Sequence, residues 1–157
     1  MLPLTKALLS GQSAGMVRLD RQRLQDATFP DKVEIPTRFD DLDIQGHVNN
    51  AAVAVFFQEA RGRFNQRHVA AWLKNGRGLV VGSLFIDFAA SMFYPDPVEI
   101  ETGVLEISNK SYVLGQVARQ QGRIAAFAEV TMVVTENGRA AAMPDELRTV
   151  LEEAKLA

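Results

Sequence analysis

The sequence predicts an α+β domain in which one long helix precedes a run of antiparallel strands, and three observations carry that reading. Residues 50–73 place apolar side chains at helical intervals. Residues 78–136 fall into four strand-like blocks rich in Val, Ile, Phe and Thr. The segments between those blocks are short, which favours antiparallel neighbours over parallel strands joined by long crossovers.

The elements follow in chain order. Residues 1–30 read as an N-terminal extension and residues 31–157 as a single domain, because 157 residues suit one core that buries roughly two-thirds of the unfolded surface. The first sixteen residues carry one lysine and an apolar stretch broken by Pro3, with no clear small-residue cleavage site, so they predict an ordinary extension rather than a signal peptide. Asp20 is placed to cap a short helix over 21–27 whose thin apolar stripe is Leu24, and Pro30 closes it. Val33, Ile35, Thr37 and Phe39 alternate with Glu34 and Arg38 as in a half-buried strand, with Pro36 marking an edge or a bulge.

A polar loop containing Gly46 leads into the helix, for which Asn49 or Asn50 is the expected N-cap. Val53, Phe56, Phe57, Ala60 and Phe64 define its apolar face. Ala51, Ala52, Ala54 and Val55 widen that surface, which predicts a helix enclosed by other structure. Strands are expected over 78–91, 98–108, 111–120 and 123–136, with a weak one after the Asn137–Gly138 turn. Pro144 opens a terminal helix that turns Leu147, Val150, Leu151 and Ala154 inward. A single sheet curled around the central helix satisfies this order, and its uncovered edge favours a symmetric dimer.

Composition removes several function classes. Seventeen basic and nineteen acidic residues give a formal charge of -2, so nothing draws the protein to nucleic acid. The chain has no cysteine, which excludes disulfides, thiolate ligands and cysteine nucleophiles and suits the reducing cytoplasm. His47 and His68 form no recognisable metal set, and no apolar run approaches the roughly eighteen residues of a membrane span. The sequence lacks the Gly-rich phosphate loops of common nucleotide-binding proteins.

Chemistry concentrates at the loop before the helix. Asp40, Asp41 and Asp43 crowd the approach to His47, Asn49, Asn50 and the helix start. Free N–H groups at a helix N-terminus stabilise negative charge developing on a carbonyl oxygen, and a nearby carboxylate can activate water or attack the carbonyl. Those are the minimum parts for acyl hydrolysis, although aspartates and asparagines in such a loop also serve as turn and capping residues.

The run from Arg38 to Asn50, followed by Phe57-Gln58-Glu59-Ala60-Arg61, resembles the signature of acyl-CoA thioesterases in the 4-hydroxybenzoyl-CoA thioesterase-like branch of the hotdog fold. Ile86-Asp87-Phe88 and Asn109-Lys110-Ser111 resemble two further landmarks, so the likeness extends over about 33–147. It implies a curved antiparallel sheet of five or six strands around a long central helix, with active sites at the interface of a homodimer or of a tetramer of paired dimers. It further implies hydrolysis of an acyl-CoA or acyl-carrier thioester without metal or organic cofactor, coenzyme A entering only as part of the substrate. Asp43 takes the position of the catalytic carboxylate, nucleophile or general base, and the Asn50 backbone amide that of the carbonyl-polarising group. His47, Asn49 and Glu59 are further catalytic candidates. Gly46, Val48, Val53, Arg61, Phe88, Lys110 and Ser111 are the expected substrate contacts. The chain departs from the pattern at Val53, where many relatives carry tyrosine, and at Gln58, where many carry an acid; Val53 makes that part of the pocket more apolar. The rival readings are an acyl-CoA hydratase or dehydratase and a non-catalytic, homo-oligomeric acyl-CoA binding module.

Overall fold

Six strands form one antiparallel sheet in the order β1-β3-β4-β5-β2, with the short β6 on β5. The strands are β1 (Asp31–Ile35), β2 (Arg77–Phe88), β3 (Val98–Ile107), β4 (Ser111–Gln120), β5 (Arg123–Glu136) and β6 (Arg139–Ala140); the helices are α1 (Arg21–Asp26), α2 (Asn50–His68) and α3 (Asp145–Glu153). The computed structural model describes residues 19–157, so the reading of the first sixteen residues lies outside it. Gln121–Gly122 and Asn137–Gly138 have positive φ at both positions and close the β4–β5 and β5–β6 hairpins. Such two-residue turns match the twist of the strands they join.

The sheet curves over α2 as the sequence predicts. Val53, Phe56, Phe57, Ala60 and Phe64 are buried against Ile35, Val98, Ile100, Leu114, Ala118, Val130 and neighbours on the inner face. Asn49 caps α2 by accepting the Ala52 amide at 2.7 Å. The helix ends at His68 rather than near Leu73. There Arg67 and His68 engage the buried Asp31 at the start of β1, and Val69 and Trp72 turn into the core.

Three further expectations are corrected. Phe39 lies outside the strand and is 73% exposed, because the chain leaves the ladder at Pro36 and enters a single 3-10 turn over Phe39–Asp41. The second and third strands are not neighbours: after Phe88 the chain crosses the end of the sheet, and β2 becomes the outer strand beside β5. The helix is not enclosed within one chain, since it packs on β1 and β3 and leaves Ala51 and Val55 exposed on the far flank.

The convex face carries α1, capped by Asp20 as expected. Leu24 is fully buried there with Leu19, Leu105, Val117 and Phe127. Gly115 makes room for it: a Cβ at that position would stand 2.5 Å from Leu24 Cδ2 and 2.9 Å from Leu105 Cδ1. Beside α1 the C-terminal residues close against the extension, Thr28 and Ala157 exchanging backbone hydrogen bonds. Helix α3 contributes Leu147 and Leu151 to the core, and its C-cap Ala154 joins them.

Candidate active site

The loop from Asp41 to Asn50 is tied by its own backbone. Asp43 N–H donates to His47 O at 2.8 Å, Gly46 N–H donates to Asp43 O at 3.0 Å, and Gly46 takes φ +79° to close that turn. The Asp43 carboxylate bends back over the turn. Its Oδ1 accepts the amides of Gln45 at 2.8 Å and His47 at 3.1 Å. One carboxylate oxygen is thus committed, and no hydrogen bond among the described residues reaches the other.

Helix α2 begins at Asn50, and its first turn completes the site. Asn49 Oδ1 satisfies Ala52 N–H and Asn49 O satisfies Val53 N–H, which leaves the amides of Asn50 and Ala51 without a partner among the described residues. These orphan donors carry the positive end of the helix dipole. Asp43 and Asn50 line the same cleft of about 410 Å³. Its walls are Gln45, His47, Val48 and Val53 on one side and Phe88 to Met92 on the other. The two walls are joined where Val48 N–H donates to Met92 O at 2.9 Å, and the His47 ring stands edge-on to Phe93 with centroids 5.2 Å apart. A carboxylate in one cleft with the first residue of a helix whose amide is free suits attack on a carbonyl carbon.

Comparison with known proteins decides the family. The model of the thioesterase-like superfamily matches residues 37–151, most of the chain and all of this site. The chain belongs to the thioesterase-like superfamily. The thioesterase-like chain is 29% identical over 128 residues to the long-chain acyl-CoA thioesterase FadM of Escherichia coli K12, a match that spans 78% of this chain and 97% of FadM. It is also similar to the structure of a thioesterase complexed with coenzyme A and Zn from Thermus thermophilus. That match has a TM-score of 0.74 and 30% identity and covers 81% of this chain and 95% of the other. The hotdog fold expected from the resemblance is the observed one.

Not every expected residue of this thioesterase-like protein reaches the cleft. Asp43, His47, Val48, Asn50, Val53 and Phe88 line it. Gly46 shapes the turn instead of forming a wall. Asn49 has both polar ends occupied, since its Nδ2 donates to Asp41 O at 2.8 Å while its Oδ1 caps the helix. Glu59 is paired with Arg63 one turn along α2 and is not part of the cleft. Arg61 is buried deeper in the core with Nη1 unpartnered, where burial lowers its pKa and raises that of the facing Tyr112. Lys110 and Ser111 form the β3–β4 turn opposite Val133 and Val134, at the end of β5 away from Ala126 and Phe88. The sequence reading missed Gln45 and the Ala89–Met92 wall, whose small residues carry no local signal of chemistry.

Proposed function

We propose that this protein hydrolyses an acyl-CoA or acyl-carrier thioester to the free acid and thiol, with Asp43 as the catalytic carboxylate. One observation carries the reading: the carboxylate of Asp43, pinned through a single oxygen, shares a cleft with Asn50, the first of the two unpartnered amides at the start of α2. The thioester oxygen binds those amides, which stabilise the tetrahedral oxyanion. Asp43 then accepts the proton of an attacking water, or attacks the carbonyl itself to give an anhydride that water opens. The thiolate leaves without needing a Ser-His-Asp triad, so the reaction as proposed uses no metal or organic cofactor. Val48, Val53, Phe88 and Met92 favour an apolar acyl group, in keeping with the long-chain substrate named for FadM.

The active form in this proposal is a homodimer paired through β2. That strand is an outer edge of twelve residues on which Val80, Val81, Leu84, Phe85 and Phe88 are each 42–52% exposed, a surface that proteins cover or pair. Antiparallel pairing of two β2 strands sets the Arg77 end of each beside the Phe88 end of the other. It thereby moves the partner's β3–β4 turn, with its Lys110 and Ser111, toward the cleft, and offers a second wall to the open flank of α2. No described helix is long and apolar enough to cross a membrane, and the cysteine-free composition suits the cytoplasm.

The test is thiol release from short, medium, long and aromatic acyl-CoAs and from an acyl-carrier protein, with and without a chelator. Turnover that the chelator leaves intact supports the proposal. Binding of coenzyme A thioesters without any turnover would replace it with the binding-module reading, and addition of water to an enoyl-CoA would replace it with the hydratase reading.

A further inference from the structure

The family match begins at residue 37, so α1 lies outside it, yet α1 is bound to the sheet by specific contacts. Leu24 fills the notch left by Gly115. One turn earlier, Arg21 reaches across the convex face to the end of the outer strand. Its Nε and Nη2 donate to Asp87 Oδ2 and Oδ1 at 2.5 Å each, Nη2 also approaches Phe88 O at 3.4 Å, and the guanidinium lies 5.6 Å from the centroid of the Phe127 ring.

This anchor sits where the cleft wall begins. Asp87 faces the convex side, and the next residue, Phe88, lines the cleft on the concave side. Beyond Phe88 the regular ladder stops, and the amides of Ala89 and Ala90 both turn to Ala125 O, at 2.9 and 3.0 Å. The wall from Phe88 to Met92 therefore starts where β2 leaves the ladder, and its far end is tied by the Val48–Met92 hydrogen bond. Exposed ion pairs are weak in general, but a bidentate guanidinium–carboxylate pair with an aromatic ring beside it is the geometry that fixes position.

We propose that α1 is a strap and that Arg21 is a positioning residue which, through Asp87 and the Phe88 carbonyl, holds the acyl-facing wall of the cleft in place. The consequence for catalysis rests on the thioesterase reading above; the anchoring itself does not. Losing Arg21 loosens the wall, weakens discrimination among acyl groups and raises KM, while the Asp43 loop and α2 start, which Arg21 does not touch, keep kcat.

The full-length variants Arg21→Ala, Arg21→Lys and Arg23→Ala separate this from simple attachment of α1. Arg23 belongs to the same helix and bonds Leu105 O at 3.0 Å and Glu106, without reaching β2. Arg21→Ala is expected to speed amide hydrogen exchange in residues 88–92 by roughly tenfold. It should also raise KM for the preferred acyl-CoA about three- to tenfold with kcat within twofold. Arg21→Lys recovers part of the effect because an ammonium cannot grip both oxygens, and Arg23→Ala leaves both readouts at wild-type values. Unchanged exchange at 88–92 in Arg21→Ala, or equal acceleration in Arg23→Ala, would overturn the proposal. If the exchange moves as expected but the wild type releases no thiol, the strap stands and the thioesterase reading falls.

Discussion

The amide of His47 donates to Oδ1 of Asp43 at 3.1 Å, and through this bond the histidine of the loop serves the carboxylate with its backbone. The imidazole is directed to Phe93 and makes no hydrogen bond among the described residues. The carboxylate is held by amides that cannot titrate, so its orientation does not depend on the protonation of a neighbouring ring. His47→Ala should therefore leave the Asp43 turn in place and act on substrate fit. We expect a larger change in KM than in kcat, measured over a range of acyl-CoA concentrations.

Asn49 is assigned to the helix cap. Asn49→Ala should cost about 1 kcal/mol, which corresponds to a fall in Tm of roughly 2–4 °C for a domain of this size. Asn49→Ser restores a capping oxygen and should recover both Tm and activity. A serine variant that is stable and inactive would return Asn49 to a chemical role.

The residues that carry local periodicity were legible from the chain alone. Val53, Phe56, Phe57, Ala60 and Phe64 could be placed on one buried face because the helical repeat needs no knowledge of the partner surface. Asp43 and Asn50 were legible as a carboxylate beside a helix start. The Ala89–Met92 wall was not, because it meets Val48 only after the chain has crossed the end of the sheet. Likewise Phe39 fits a strand alternation on paper, but Pro36 cannot extend the ladder that would have buried it.

The outer strand predicts an assembly. Leu84→Lys places a charge in the exposed apolar row of β2, and light scattering should show a dimeric wild type and a monomeric variant at micromolar concentration. A wild type that is monomeric at high concentration would contradict pairing through this edge.

Docking of α1 predicts a coupled pair. Gly115→Ala pushes a methyl group into Leu24 and Leu105 and should destabilise the fold by about 1–3 kcal/mol. Adding Leu24→Ala should recover part of that loss, and denaturant unfolding of the two single variants and the double variant measures the coupling. Strict additivity would mean that α1 does not occupy the notch in solution.

Glu129 gives the convex face a pH signature. Burial, Glu106 and Asp20 raise its pKa above 4.5, against the opposing pull of Arg23. A raised folded pKa in an acid means that the native state holds its proton more tightly than the unfolded chain, so this group's contribution to stability is present at low pH and is lost as pH rises through the folded pKa. Glu129→Gln should accordingly raise Tm at pH 7.5 and leave it nearly unchanged at pH 4.

The most direct test of the central claim compares wild type with Asp43→Asn on the acyl-CoA that the wild type turns over fastest, after circular dichroism shows both folded. Asparagine keeps an oxygen for the Gln45 and His47 amides but loses the basic and nucleophilic carboxylate. We expect kcat to fall at least about a hundredfold with KM little changed. Undiminished thiol release by Asp43→Asn would contradict the account and show that another group in the cleft carries the chemistry.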